Sequence, residues 1–122
     1  IWQKAIRIVM YKLENKNYDF KRITTQDALK VKSMMMILAN EKASIKDIET
    51  ANQTLDSLAL KYLTVENNGE WLENIDEFAL NALFNNELAI IEISAQFQNR
   101  IKDFLQSLPS FQVGNQTAKR NK

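Results

Sequence analysis

The sequence has no cysteine and no histidine. Disulfide frameworks, thiolate zinc sites, cysteine nucleophiles and Ser-His-Asp triads are therefore excluded within this chain. Carboxylates, Lys, Tyr, Ser and Thr are what remain for chemistry. There are only two glycines, Gly69 and Gly114, and one proline, Pro109. Sheet proteins use more turn residues than that, whereas helical bundles do not need them. Neither glycine has a glycine neighbour, so no Gly-rich phosphate loop is present. No apolar run approaches the roughly 20 residues that cross a bilayer. No small-residue cleavage site follows the apolar, basic residues 1–13. The expectation is a non-enzymatic protein with no cofactor, no metal and no membrane span.

What the chain does have is an ordinary globular balance. It is 122 residues long, 45% hydrophobic and 25% charged, which suits one domain with a real core. Its net charge of +1 hides a pattern. Residues 1–42 carry nine Lys/Arg and four Asp/Glu, and residues 43–99 carry two Lys and ten Asp/Glu. Residues 100–122 carry five Lys/Arg and one Asp. Basic ends thus flank an acidic middle. Either they pack together within one monomer, or copies meet head to tail, basic face to acidic face.

Apolar spacing reads as helix almost throughout. Trp2, Ala5, Ile6, Val9, Met10 and Leu13 form one stripe over residues 1–14. Residues 15–23 lose the pattern and read as a connection. Thr24 with Asp27 resembles a capping box, opening a helix to about Asn40 with Ala28, Val31, Met35 and Leu38 inward. The Met34-Met35-Met36 run reads as adaptable core filling. Ser44 with Asp47 starts the next helix. Its stripe of Ile48, Ala51, Leu55, Leu58, Tyr62 and Val65 is spaced like a coiled-coil seam. Asn67-Asn68-Gly69 supplies a left-handed stop.

Glu70, Glu73, Asp76 and Glu77 then open a helix with Leu72, Ile75, Phe78, Ala79, Ala82 and Leu83 inward, and Asn85-Asn86 marks a break. The last helix runs from about Glu87 to Leu108 with Ile90, Ser94, Phe97, Ile101, Phe104 and Leu108 inward, and Pro109 ends it. The predicted fold is all-α: a single helical bundle of four to five helices over residues 1–108. Residues 109–122 form an extended basic C-terminal tail. Leu55, Leu58, Phe97, Ile101 and Phe104 are predicted core, and the two seamed helices should pack nearly antiparallel.

The best candidate for chemistry is the acidic run. Glu70, Glu73 and Glu77 on one helical face could hold a divalent cation. Acids in a first helical turn, however, also complement the helix dipole, and that explanation suffices here. Nothing points to the paired carboxylates of a hydrolase. Two glycosylation triplets, Asn52-Gln53-Thr54 and Asn115-Gln116-Thr117, lack a secretion signal beside them. A helix-turn-helix reading is poor, because its recognition helix would carry Asp47, Glu49, Asp56 and Glu66 against Lys46 and Lys61, and phosphate repels such a helix. Specific nucleic-acid recognition is not expected. In the tail, Phe111 and Val113 alternate around Gln112 and offer apolar anchors. Lys119, Arg120 and Lys122 could touch nucleic acid or an acidic protein. These five are the predicted protein-interaction residues.

Residues 26–108 resemble the phage head–tail connector family, also called adaptor or head-completion proteins. The resembling stretches are Gln26-Asp27-Ala28-Leu29 at a helix start, the Ser44–Tyr62 helix with its Leu55-x-x-Leu58, and Phe78–Ala89. The family usually has Trp near the Tyr62 position and a loop or hairpin before the third helix; here the connection reads as a few residues. The resemblance implies a structural protein that forms a ring of identical subunits under the portal and joins capsid to tail. It implies portal or tail proteins as partners, with the virion as location after assembly in the host cytoplasm. The rival expectation is a small helical inhibitor or immunity-type protein that covers a basic partner with its acidic middle.

Overall fold

The computed structural model describes residues 10–107. Its elements run β1 (Tyr11–Leu13), β2 (Lys16–Phe20), α1 (Thr25–Ala39), α2 (Ile45–Tyr62), β3 (Leu63–Asn67), β4 (Glu70–Leu72), α3 (Glu77–Leu83) and α4 (Ala89–Gln106). The strands form one antiparallel sheet in the order β1-β2-β3-β4. The protein is therefore mixed α and β, and the all-α bundle expected from the sequence is corrected.

Two tight hairpins build the sheet. Between β1 and β2 stand Glu14 (φ 52°) and Asn15 (φ 67°), and between β3 and β4 stand Asn68 (φ 55°) and Gly69 (φ 86°). Two successive residues at positive φ mark the type I′ turn, whose twist matches that of paired strands. The left-handed residues read as a helix stop thus close a hairpin. Tyr11–Leu13, expected to finish a first helix, are a strand, and the expected connection 15–23 contains β2. The start of that expected helix lies outside the described residues.

The two long helical hairpin segments come out nearly as predicted. The Thr24 hydroxyl accepts the Asp27 N–H at 3.1 Å, and the Ser44 hydroxyl accepts the Asp47 N–H at 3.0 Å. Helix α2, however, ends at Tyr62 and passes without a loop into β3. Val65 continues the 3–4 seam in sequence but lies in a strand, where it and Leu63 point into the core on either side of half-buried Thr64. The β-branched pair Thr64-Val65 favours that outcome.

One core joins the sheet to the helices. Tyr18, Phe20, Leu63 and Val65 line the inner face of the sheet. The Phe97 ring of α4 lies 5.2 Å from Phe20 and 6.0 Å from Tyr62. Leu55, Leu58, Phe97 and Ile101 are buried as predicted, and Phe104 is partly buried at the margin. Around α3 the expected inward set holds for Ile75 and for Leu72, Ala79 and Leu83, which pack against the core, and is corrected at Phe78 and Ala82. Ile75, Leu80 and Phe84 are buried, whereas Phe78 is 83% exposed and Ala82 is exposed. The helix begins at Glu77, later than the acidic run suggests, so Leu72 and Ile75 precede it instead of lying on it.

Candidate functional site

The acidic run is dispersed over several elements. Glu70 lies on β4, and Glu73 follows that strand and meets Lys21 at 3.6 Å. Asp76 caps α3 by accepting the Ala79 N–H at 2.8 Å, and Glu77 is the first residue of that helix. The expectation that all four open one helix is corrected, and the dipole explanation extends only to Asp76 and Glu77. Among the described residues, no group of three acidic or histidine side chains is placed to hold a metal ion.

Three polar clusters stand where elements meet. In the first, the Tyr62 hydroxyl at the end of α2 donates to Asp27 near the start of α1, and the Thr24 N–H lies 3.4 Å from the same oxygen. Lys61 reaches the Asp27 carboxylate at 2.9 Å. The Tyr62 hydrogen bond, then Lys61, hold the Asp27 carboxyl below the usual carboxylate range. In the second, Arg100 of α4 bonds Asp19 of β2 and the Tyr11 hydroxyl of β1, with its guanidinium 5.5 Å from the Tyr11 ring centre. Burial pulls the guanidinium down, but its bonds to Asp19 and Tyr11 outweigh that and leave it raised. Both clusters tie elements together, and each reaches a cleft with its margin only, Lys61 in one of about 460 Å³ and Asp19 in one of about 250 Å³.

The third does open onto one. A cleft of about 520 Å³ runs between α2 and α4, with Met35 at its rim, and contains Asn52, Asp56, Ser94 and Gln98. Gln98 donates to the Ser94 hydroxyl at 3.3 Å. Burial pushes the Asp56 carboxyl up, a Ser94 hydrogen bond opposes this, and nearby Glu77 adds to it. Such a wall of amides and one carboxylate can receive a polar or basic side chain. The Ser94 hydroxyl is hydrogen-bonded to both Asp56 and Gln98, and Lys102 also lines the wall. Elsewhere, the fully buried Tyr18 hydroxyl has no hydrogen-bond partner among the described residues, and burial, then Glu92 and Tyr11, raise its pKa.

The outer face of the sheet carries polar side chains and one tryptophan. Strand register places Lys12 across from Asn17, and Glu66 across from Trp71. Asn17 donates to Glu66 at 2.9 Å, which links the two pairs into one row. Trp71 is 43% exposed on the edge strand β4. Sequence periodicity missed this tryptophan because it was read inside a helix start. The signal that could have found it was Asn68-Gly69, the commonest short hairpin pair. Leu88 and Ile91, one turn apart at the start of α4, are also exposed. The five residues predicted to make protein contacts, Phe111, Val113, Lys119, Arg120 and Lys122, lie outside the described residues.

No protein-family model matches the chain, nor does any curated protein or solved structure.

Proposed function

We propose that this chain is a non-catalytic adaptor that works by protein–protein contact, as a ring-forming subunit of the head–tail connector type. The observation that carries this reading is the β3–β4 hairpin, residues Leu63–Leu72. The connector pattern has a loop or hairpin before its third helix, and the three resembling stretches fall on α1, on α2, and on α3 with the turn after it. Exposed Trp71, Phe78, Leu88 and Ile91 add apolar contact surface of the kind partners cover. The tail residues Phe111, Val113, Lys119, Arg120 and Lys122 remain the proposed contacts to a portal protein or neighbouring subunit.

The test is the mass of the particle in solution, alone and mixed with a phage portal protein. A ring, or a portal-bound species, is the expected result. A monomer that stays apart at every concentration overturns the reading. It would favour the inhibitor class, for which exposed Glu70, Asp76 and Glu77 provide an acidic surface to meet a basic partner.

A further inference from the structure

We propose that the cleft between α2 and α4 receives a lysine or arginine side chain of the partner protein, with the Asp56 carboxylate as its counter-ion. This names the partner's chemistry for the contact role proposed above. It rests on that role and not on the ring.

Helix periodicity builds the cleft. Asn52 and Asp56 stand four residues apart on α2, and Ser94 and Gln98 stand four apart on α4, so each pair shares a helix face. The two faces meet across the space of about 520 Å³. Ser94 is buried, and Asp56 and Gln98 are half-buried.

The hydrogen bonds in the cleft run toward Asp56. Gln98 donates its amide N–H to the Ser94 hydroxyl at 3.3 Å, and Ser94 bonds Asp56. A carboxylate has about four acceptor sites, and a hydroxyl has one proton to give. With its nitrogen committed to Ser94, Gln98 turns its amide oxygen into a further acceptor in the same wall. Acceptors grouped around a carboxylate suit a guanidinium or an ammonium, which carry several donors together with the charge.

Electrostatics point the same way. Burial pushes the Asp56 carboxyl up, and the nearby Glu77 adds to the negative potential. A carboxylate drawn from water is costly until a hydrogen-bonded counter-ion joins it. The described ion pairs engage Asp19, Asp27 and Glu73, not Asp56. Asp27, beside Lys61, is held low where Asp56 is pushed up. Lys102 lines the wall too, but it is exposed and two turns beyond Ser94, roughly 12 Å along α4. Solvent ions largely screen its charge over that distance. Ile91 is 61% exposed at the same cleft, and Leu88 stands one turn before it at 60%. This apolar flank can cover the aliphatic stem of a long basic side chain.

The probe is N-acetyl-arginine methylamide, and its citrulline analogue is the control of nearly the same shape without charge. Nuclear magnetic resonance follows the side-chain amides of Asn52 and Gln98 as each is added to the full chain. The arginine probe is expected to shift both signals and to bind about tenfold more tightly than the control. Asp56→Asn, shown folded by circular dichroism, is expected to abolish that preference. Equal binding of the two probes, or a preference that survives in Asp56→Asn, overturns the proposal. A shift given only by N-acetyl-glutamate methylamide overturns it as well, by assigning the cleft to an anion through Lys102. Probe binding that appears only with Lys119→Ala, Arg120→Ala and Lys122→Ala combined would show the chain's own basic residues in the cleft and overturn the partner assignment. A multimeric or portal-bound particle whose mass Asp56→Asn leaves unchanged overturns the cleft while the connector reading stands. A chain that stays monomeric and apart, yet holds the arginine probe, loses the connector reading and keeps the cleft.

Discussion

Tyr62 shows how one side chain can do what a sequence motif promises of another. Thr24 with Asp27 has the spacing of a capping box, in which the second residue reaches back to the N–H of the first. Aspartate is short for that reach, and the Asp27 carboxylate instead accepts from the Tyr62 hydroxyl and Lys61. Tyr62 was legible only as a seam residue, because its partner lies 35 positions away in sequence.

Its removal has a testable pH dependence. Tyr62→Phe should cost about 0.5–1.5 kcal/mol near neutral pH, the usual net worth of such a bond. The folded-state pKa of Asp27 is lowered. Its contribution is therefore fully present above the unfolded carboxyl value of about 4 and is lost as pH falls through the folded value. Urea denaturation at several pH values should find the gap between Tyr62→Phe and the parent widest near neutrality and narrowing in acid. A gap that widens in acid would contradict this. In the core, Leu55→Ala and Ile101→Ala should each cost about 2–5 kcal/mol in the same measurement, since both sites are fully buried.

Among the elements, helices α1, α2 and α4 were legible and the strands were not. A helix of 15 or 18 residues repeats its apolar period several times and carries its start signal beside it. A strand of three residues shows its period barely once. Tyr11 and Leu13 alternate around Lys12, but Leu13 also continues the spacing from Val9 and Met10, so strand and helix patterns coincide. Val65 likewise fits both the seam before it and the alternation Leu63, Val65. Asn68-Gly69 satisfies a helix stop and a hairpin turn alike, because both need left-handed backbone.

The hairpin makes its own prediction. A Cβ at position 69 would meet nothing within 4 Å, so only backbone conformation opposes a side chain there. Gly69→Ala should cost about 1–2 kcal/mol, the penalty of left-handed backbone for an L-residue. Gly69→Asn should cost less, since Asn tolerates that region. Equal losses in thermal or urea unfolding would mean that something other than φ sets the cost.

For the whole molecule, the division into basic ends and an acidic middle was visible in composition, but the strands that carry part of it were not. Some of that charge is settled inside one copy. Lys21 meets Glu73 across the sheet, and Arg100 meets Asp19 between α4 and β2. What stays exposed is of both signs: Lys12 on β1, and Glu70, Asp76 and Glu77 between β4 and α3. If those charges guide copies together, association must weaken as salt screens them. The screening length falls from about 10 Å at 0.1 M salt to about 3 Å at 1 M, shorter than the gap between side chains facing across a weak joint. Sedimentation at fixed protein concentration should therefore show the average mass falling toward the monomer as salt rises, while circular dichroism stays constant. Lys12→Glu should lower the mass at low salt, because it replaces an exposed basic side chain by an acidic one. A mass that rises with salt would instead mean that exposed apolar side chains such as Phe78 and Ile91 drive the contact. Salts strengthen apolar burial even as they screen charge.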